Sequence, residues 1–551
     1  MRFLYKVRLQ VNDMFSHFSR FIAPTYYHDR CERTLQMYVY IMHKREVLLS
    51  LMTLLSSYIL LLFIGLAGPN VDKVNSIKAQ QIFSDSNINK TFIPQLLQSG
   101  PFILTTASLT SYSQQLSLYI SFSLKNEESS EAFHKEFVIN VKLEGIDKDD
   151  RNITVANGNL TSSLYCGGRQ CEPIRVLRLS YIEYKHYRMN VTFYRLESVN
   201  EKYVIDDILF EFRSINDSFT NLSIWVRFIF LLITFGVMYF YMQNLYRFQI
   251  IDWSLEQQWT AIQLILLVFS NNPFYPIQFL LGSSLPRLME IWLHTTLQCL
   301  LMLFWLCFFH GIRQNNRSFT RFYACKLFII GSIWFTVIYT MSWTLRNQLA
   351  DPIFDELAYF KASSFLQFCG VVFYIALICY FIYLIILVFV AFTELRSMPY
   401  FDVRLKLQTF LMLFVLTISV LTILLSSNNS FSSSVMTSSL PFLQLLPFAH
   451  FSTSSATFLS IFSLVNIYIC ACAYYYRPAL NQINECQIMR DNPAISMIDD
   501  SDEEVLYGSD TEELLNISPS PTHSESINAL SSNNCISIPN LIDTRTDEES
   551  D

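Results

Sequence analysis

Charge is scarce in this sequence. Asp, Glu, Lys and Arg make up 15% of its 551 residues, against roughly a quarter in soluble domains, while 52% are hydrophobic, 15% are aromatic and only 13 are glycine. That balance excludes an ordinary soluble protein. The chain is also acidic, with a net charge of −7, and no nucleic-acid partner is expected. The shortage is concentrated in blocks: TAIQLILLVFSNNPFYPIQFLLGSSLP (260–286) carries no charged residue at all.

Crossing the hydrocarbon core takes about 20 mostly apolar residues, and eight segments qualify. The first is 47–67; the others run near 228–246, 260–281, 291–309, 327–345, 365–393, 407–425 and 456–476. The chain therefore reads as a multi-pass α-helical membrane protein. Its expected parts are a cytosolic N-terminus (1–46), a first transmembrane helix (47–67), a lumenal or extracellular domain (68–222), a seven-helix domain (223–477) and a cytosolic tail (478–551). The first span starts deep in the chain and lacks a clear small-residue cleavage site, so it is read as a retained signal anchor.

Positive charge resists translocation and sets the orientation. With the N-terminus cytosolic, the short cytosolic loops hold Arg247, Arg313, Arg317, Arg321, Lys326, Arg396, Arg404 and Lys406, while the short lumenal ones hold only Arg287, Arg346 and Lys361. Sequons then fall on the lumenal side at Asn89, Asn152, Asn159, Asn190, Asn216, Asn221 and Asn428, and these are candidate glycosylation sites. Asn316 and Asn516 match the pattern on the cytosolic side and are expected to stay unmodified.

Cysteine is nearly absent from 68–222, where only Cys166 and Cys171 of the twelve occur, in YCGGRQC. An oxidising compartment favours a bridge between them, and two thiols without a nearby His or further Cys make a poor metal site. No metal or other cofactor is expected. The same region alternates with period two. Leu116, Leu118, Ile120, Phe122 and Leu124 share one face, as do Phe137, Ile139, Val141 and Leu143, and 186–196 and 207–215 repeat the pattern, which predicts a small β-sandwich.

The tail reverses the composition, with sixteen acidic residues against Arg490 and Arg545 in 478–551, and it is expected to be disordered. Ser501 and Ser509 each precede a Glu by three positions, as acidophilic kinases require. Asp510, Leu514 and Leu515 in DTEELL have the form of an acidic dileucine sorting signal read by clathrin adaptors.

The stretches SYSQQL (111–116), DWSLEQQW (252–259), NNPFYPIQFL (271–280), LFWLCFFHGIR (303–313), ELRSMPYFDVRLKL (394–407) and DNPAISMIDDSDEEVLYGSD (491–510), with the Cys166 and Cys171 pair, resemble the transmembrane protein 181 family across most of the chain. That family is similar to Wntless, the Wnt secretion carrier, and to proteins with a lumenal Golgi-dynamics type β-sandwich followed by seven helices. The resemblance implies a receptor or carrier of the secretory pathway, endosomes and plasma membrane, not an enzyme. It also implies a link to bacterial cytolethal distending toxins, and by analogy a lumenal or lipidated protein cargo.

Asparagines and prolines do not belong in hydrocarbon. Asn271, Asn272, Pro273 and Pro276 in SNNPFYP therefore predict a broken helix, serving either as interhelical packing glue or as the wall of a ligand cavity. In DWSLEQQW, Asp252 and Glu256 fall at i and i+4, and Ser254 and Gln257 are spaced as a capping box, which predicts the entry to a helix. Trp253 and Trp259 suit the membrane interface. The basic turn 394–407 reads as positive-inside anchoring. The expected spans lack ionisable groups apart from His294 and, at the same helix's far end, His310, which argues against an intramembrane enzyme. A seven-helix signalling receptor of the G-protein-coupled type is the alternative function. A large β-domain, an extra span and the lack of Asp-Arg-Tyr after the third of the seven helices count against it.

Overall fold

The computed structural model describes residues 36–84, 99–124, 133–146, 151–166, 171–196, 205–277, 279, 285–312, 319–394, 402–428 and 454–479. The sorting signal, Ser501, Ser509 and Asn89 lie outside these residues.

Helix α1 (Lys44–Leu66) opens on a reciprocal cap between His43 and Glu46, and runs without charge until Gly68 and Pro69 stop it. It is followed by eight strands: β1 (Asp72–Lys78), β2 (Phe102–Thr105), β3 (Leu116–Leu124), β4 (Phe133–Ile146), β5 (Asn152–Cys166), β6 (Ile174–Leu179), β7 (His186–Tyr194) and β8 (Ile205–Ile215). They form two four-stranded antiparallel sheets, in the orders β1-β8-β3-β6 and β2-β7-β4-β5. The alternating residues of β3 and β4 face each other across the sandwich, with Phe102, Phe122, Phe137, Phe193 and Phe210 at its centre. Cys166 and Cys171 are joined, with an S–S distance of 2.05 Å.

Asn152 and Asn159 lie on β5, the edge strand, and Asn190 on β7. Asn216 is the N-cap of the next helix, its side chain accepting from the Ser218 amide at 3.1 Å. Asn221 is exposed in that helix's first turns, and Asn428 ends a later helix.

Among the described residues seven long helices follow the sandwich, with a short one (Glu356–Ala362) before α6: α2 (Asp217–Leu245), α3 (Leu255–Ser270), α4 (Leu285–Gly311), α5 (Ala324–Ala350), α6 (Ser364–Glu394), α7 (Asp402–Asn428) and α8 (Ser455–Tyr476). All but α3, and α1 besides, are long and apolar enough to cross a membrane. At 1.5 Å per residue the 16 residues of α3 cover about 24 Å, short of the roughly 30 Å hydrocarbon core. Helix α8 is the most enclosed and α1 the least. The two are held together by close backbone approach at Gly65 and by hydroxyl pairs: Tyr58 with Ser460 at 2.6 Å, and Ser50 with Tyr475 at 2.8 Å.

Several helices begin earlier than the apolar blocks that reveal them, and this carries charge into the bundle. Arg227, Glu290, Lys326 and Arg404 all sit inside helices, and Arg227, Lys326 and Arg404 are buried. The reading of the helices as free of ionisable groups apart from histidine is thereby corrected.

Candidate functional site

The capping box at Ser254 and Gln257 starts α3 as expected. Asp252 does not share a helical face with Glu256, because it ends a separate 3-10 turn (Ile250–Asp252) before the cap. The other end of α3 is set by SNNPFYP. The Asn271 amide still bonds to the Leu267 carbonyl at 2.8 Å, but Asn272 swings to φ 53°, a left-handed conformation that Asn tolerates better than most residues. Pro273 then removes the donor that another turn would need. A 3-10 turn (Tyr275–Ile277) follows, and it turns Tyr275 inward while Pro273, Phe274 and Pro276 stay exposed.

Of the four residues singled out in this motif, Asn271 lines a cavity between α3, α4 and α8. The cavity wall combines Ser270, Asn271, His294, Gln298 and Asn466 with Leu267, Leu297, Leu301, Ile461, Phe462 and Val465. About 20 Å³ of it is open to the centre of a water molecule, which is room for water and not for a lipid chain. Asn271 is also packing glue. Its amide donates to Thr234 on α2 at 3.0 Å and to Asn466 on α8 at 2.9 Å, so it ties three helices together.

Above the cavity is a buried charged group that no single segment of sequence announces. Arg227 donates to Glu290 at 2.5 Å and to Ser223 at 3.2 Å, and its guanidinium lies over the Tyr275 ring at 4.4 Å, with Phe458 and Phe462 beyond. Glu290 is 3.8 Å from His294, whose other ring nitrogen is 2.9 Å from the Ser270 hydroxyl. The i, i+4 spacing of Glu290 and His294 was a usable signal; the partner 63 residues away was not.

The sandwich closes over this group. Gln114, itself at φ 50°, donates to Tyr275 Oη at 3.0 Å and to Thr220 at 3.3 Å. Arg287 donates to the Ser180 carbonyl at 2.8 Å. On the α5–α6 side, Arg178 donates to Glu356 at 3.2 Å and its amide to the Pro352 carbonyl at 2.8 Å; Gln348 also donates to Glu356, and Ile353 enters the sandwich core. Burial pulls the Arg178 guanidinium down to about 10 against the opposing effect of Glu356.

The mouth at the end of the bundle away from the sandwich is closed as well. Met37 bridges to Pro478, the Tyr38 amide donates to the Arg477 carbonyl at 2.8 Å, and Met37 and Val39 are buried in the bundle core. Arg404 donates to Glu256 and, at 3.0 Å, to Tyr40. Arg404 is thus a buried ion-pair partner and not the interfacial anchor that its basic turn implied.

Residues 216–480 match the family described as Wntless-like, transmembrane domain, and residues 100–215 match TMEM181, GOLD domain. The boundary between the two falls at the junction of β8 and α2. The human protein Transmembrane protein 181 is 35% identical over 485 residues, which are 87% of this chain and 95% of that relative. A likeness that runs through the sandwich, the broken helix and the bundle alike has one reading: the chain belongs to the transmembrane protein 181 family.

Proposed function

We propose that this multi-pass membrane protein is a receptor or carrier of the secretory pathway and cell surface, which captures protein or lipidated cargo with its lumenal sandwich and seats it against the mouth of the helix bundle. The observation that carries this reading is the buried joint between the two parts: Gln114 to Tyr275, Arg287 to Ser180 and Arg178 to Glu356 hold the sandwich directly over the broken helix and its cavity. A domain fixed in that way presents its cargo to one defined place on the bundle. Since the cavity has room for no more than water, a bulky cargo group must enter by displacing the 3-10 turn at Tyr275. A bacterial toxin would engage the exposed lumenal surface by the same route. The closed cytosolic mouth, filled by Met37 and Val39, disfavours the signalling alternative, which needs room there for a transducer.

The test is proximity labelling from an enzyme fused into the lumenal domain, comparing wild type with Gln298→Trp. Gln298 is only half-buried in the cavity wall, so the larger ring is expected to fill the cavity without blocking maturation. Loss of a discrete set of labelled secretory proteins in the variant supports the reading; an identical set in both overturns it. The carrier reading also needs an itinerary, which the tail would supply. Leu514→Ala with Leu515→Ala is expected to raise the cell-surface fraction, measured by surface biotinylation, because adaptor contact depends on the two apolar side chains beside the acidic Asp510. Phosphorylation of Ser509 would add charge there and tune it. Unchanged surface level and uptake rate would remove the dileucine motif from the account.

A further inference from the structure

Asn271 ties three helices together and leaves one atom over. Its Nδ2 donates to both Thr234 and Asn466, which commits both amide hydrogens and identifies the remaining atom as Oδ1. That oxygen is buried without a partner, on a residue that lines the cavity between α3, α4 and α8. A buried acceptor with no donor costs free energy, so the cavity favours an occupant that brings an O–H or N–H. Ionised phosphate, carboxylate and ester groups bring only acceptors. An ammonium would find no carboxylate in this wall. Water fits by size but wants about two to four polar partners. Ser270 and His294 are bonded to each other, Asn466 is bonded to Asn271 and to the Phe462 carbonyl, and the rest of the wall apart from Gln298 is apolar.

Gln298 on α4 and Val465 on α8 are the half-buried residues of the wall and mark its mouth; the others are buried. Helix α7, which packs beside α8, is held at its end away from the sandwich by Gln408, bonded to Tyr468 and Tyr476. Past Val415 only Thr422 among its described side chains is buried, so on the sandwich side α7 shields little of α8. From its capped start α3 rises about 24 Å, which puts Asn271 about 6 Å inside a hydrocarbon core of roughly 30 Å. A place just inside that boundary suits the hydroxyl of a neutral lipid and not a charged headgroup.

We propose that this cavity binds a membrane lipid whose head is one neutral hydroxyl, of the sterol or diacylglycerol kind. The hydroxyl donates to Asn271 Oδ1, Gln298 offers an amide N–H to the hydroxyl oxygen, and the rest of the lipid leaves past Gln298 and Val465 into the bilayer. Only a group the size of water has to enter, so the 3-10 turn at Tyr275 stays where it is. The site therefore stands apart from cargo capture, and it is measured on the chain alone.

The test uses the full chain in phosphatidylcholine nanodiscs, with cholesterol or dioctanoylglycerol added as the probe. The matched control for each is its methyl ether, which keeps the oxygen and loses the O–H. A rise of a few degrees in melting temperature is expected with at least one alcohol and with neither ether. A rise with cholesterol alone assigns a sterol, and a rise with dioctanoylglycerol alone assigns an acylglycerol. Equal rises with alcohol and ether, or none with any probe, overturn the proposal and leave the cavity to water. Val465→Phe fills the mouth from a half-buried position and should abolish the rise while eluting as a folded protein; a rise that persists in it places the lipid elsewhere and overturns the site. A second measurement needs no variant. A photoactivatable form of the alcohol that gave the rise should label wild type within 294–301 or 461–466, and unlabelled alcohol, but not its ether, should compete. Labelling confined to other segments overturns the site.

Discussion

Asp72 is the first residue of the first strand, six residues after the end of α1. Burial raises its carboxyl to about 6, and Arg213 opposes that rise only in part. A carboxyl raised in the folded state contributes stability that is complete below its unfolded value, near 4, and is lost as pH rises through about 6. The sandwich should therefore gain stability as the pH around it falls. Asp72→Asn removes the charge, so at pH 7.5 the variant should melt above wild type, by about 2–4 °C for each kcal/mol relieved, and at pH 5 the gap should be smaller, on its way to closing below the unfolded value. Thermal melts of the detergent-purified chain at both pH values check this; a difference that grows toward acid would reverse the assignment. Single residues were also where the sequence misled. Arg404 has the look of a topology signal because its neighbours are basic, and nothing local to it shows that Glu256, 148 residues away, neutralises it.

At the scale of elements, what was legible followed from burial on one side. β3, β4, β7 and β8 are central or well-covered strands, and their alternating Leu, Ile, Val and Phe residues were visible as such. β5 was not, because an edge strand exposes most of its length, and only Leu160 and Leu164 mark its inner face before Cys166. Apolar length located the membrane helices, while the break after Ser270 ended α3 eleven residues before its apolar block does. Close packing between helices left no trace at all. Gly65 is one such contact. A side chain there would meet the Ala456 backbone at 2.8 Å and Leu459 at 3.2 Å, whereas one at Gly236 or Gly331 would meet nothing. Gly65→Leu should lever α1 away from α8 and leave the protein in the endoplasmic reticulum, with glycans sensitive to endoglycosidase H. Gly236→Leu should mature like wild type, since it faces open space. Equal maturation of both would show that α1 docking is not needed for folding of the bundle.

The whole molecule is organised around joints that couple its parts, and the one at Glu356 is the most exacting. Glu356 is fully buried and receives Arg178 and Gln348, with Arg175 at 3.8 Å, so the sandwich, the end of α5 and the helix Glu356–Ala362 meet at one carboxylate. Removing one partner of a buried ion pair leaves the other charge without compensation and typically costs about 3–5 kcal/mol, whereas replacing the pair with apolar side chains of similar volume is often neutral. The sandwich has its own core and its own disulfide, so Glu356→Ala should open the joint without unfolding the domain. The expected signs are Cys166 and Cys171 still protected from alkylation, new trypsin cleavage at Lys361, and retention in the endoplasmic reticulum. Arg178→Met combined with Glu356→Leu should restore both maturation and protease resistance. If Glu356→Ala matures normally on its own, the joint does not hold the sandwich in place. The proposal that cargo is presented to a fixed site on the bundle then loses its support, and a sandwich that swings freely above the membrane takes its place.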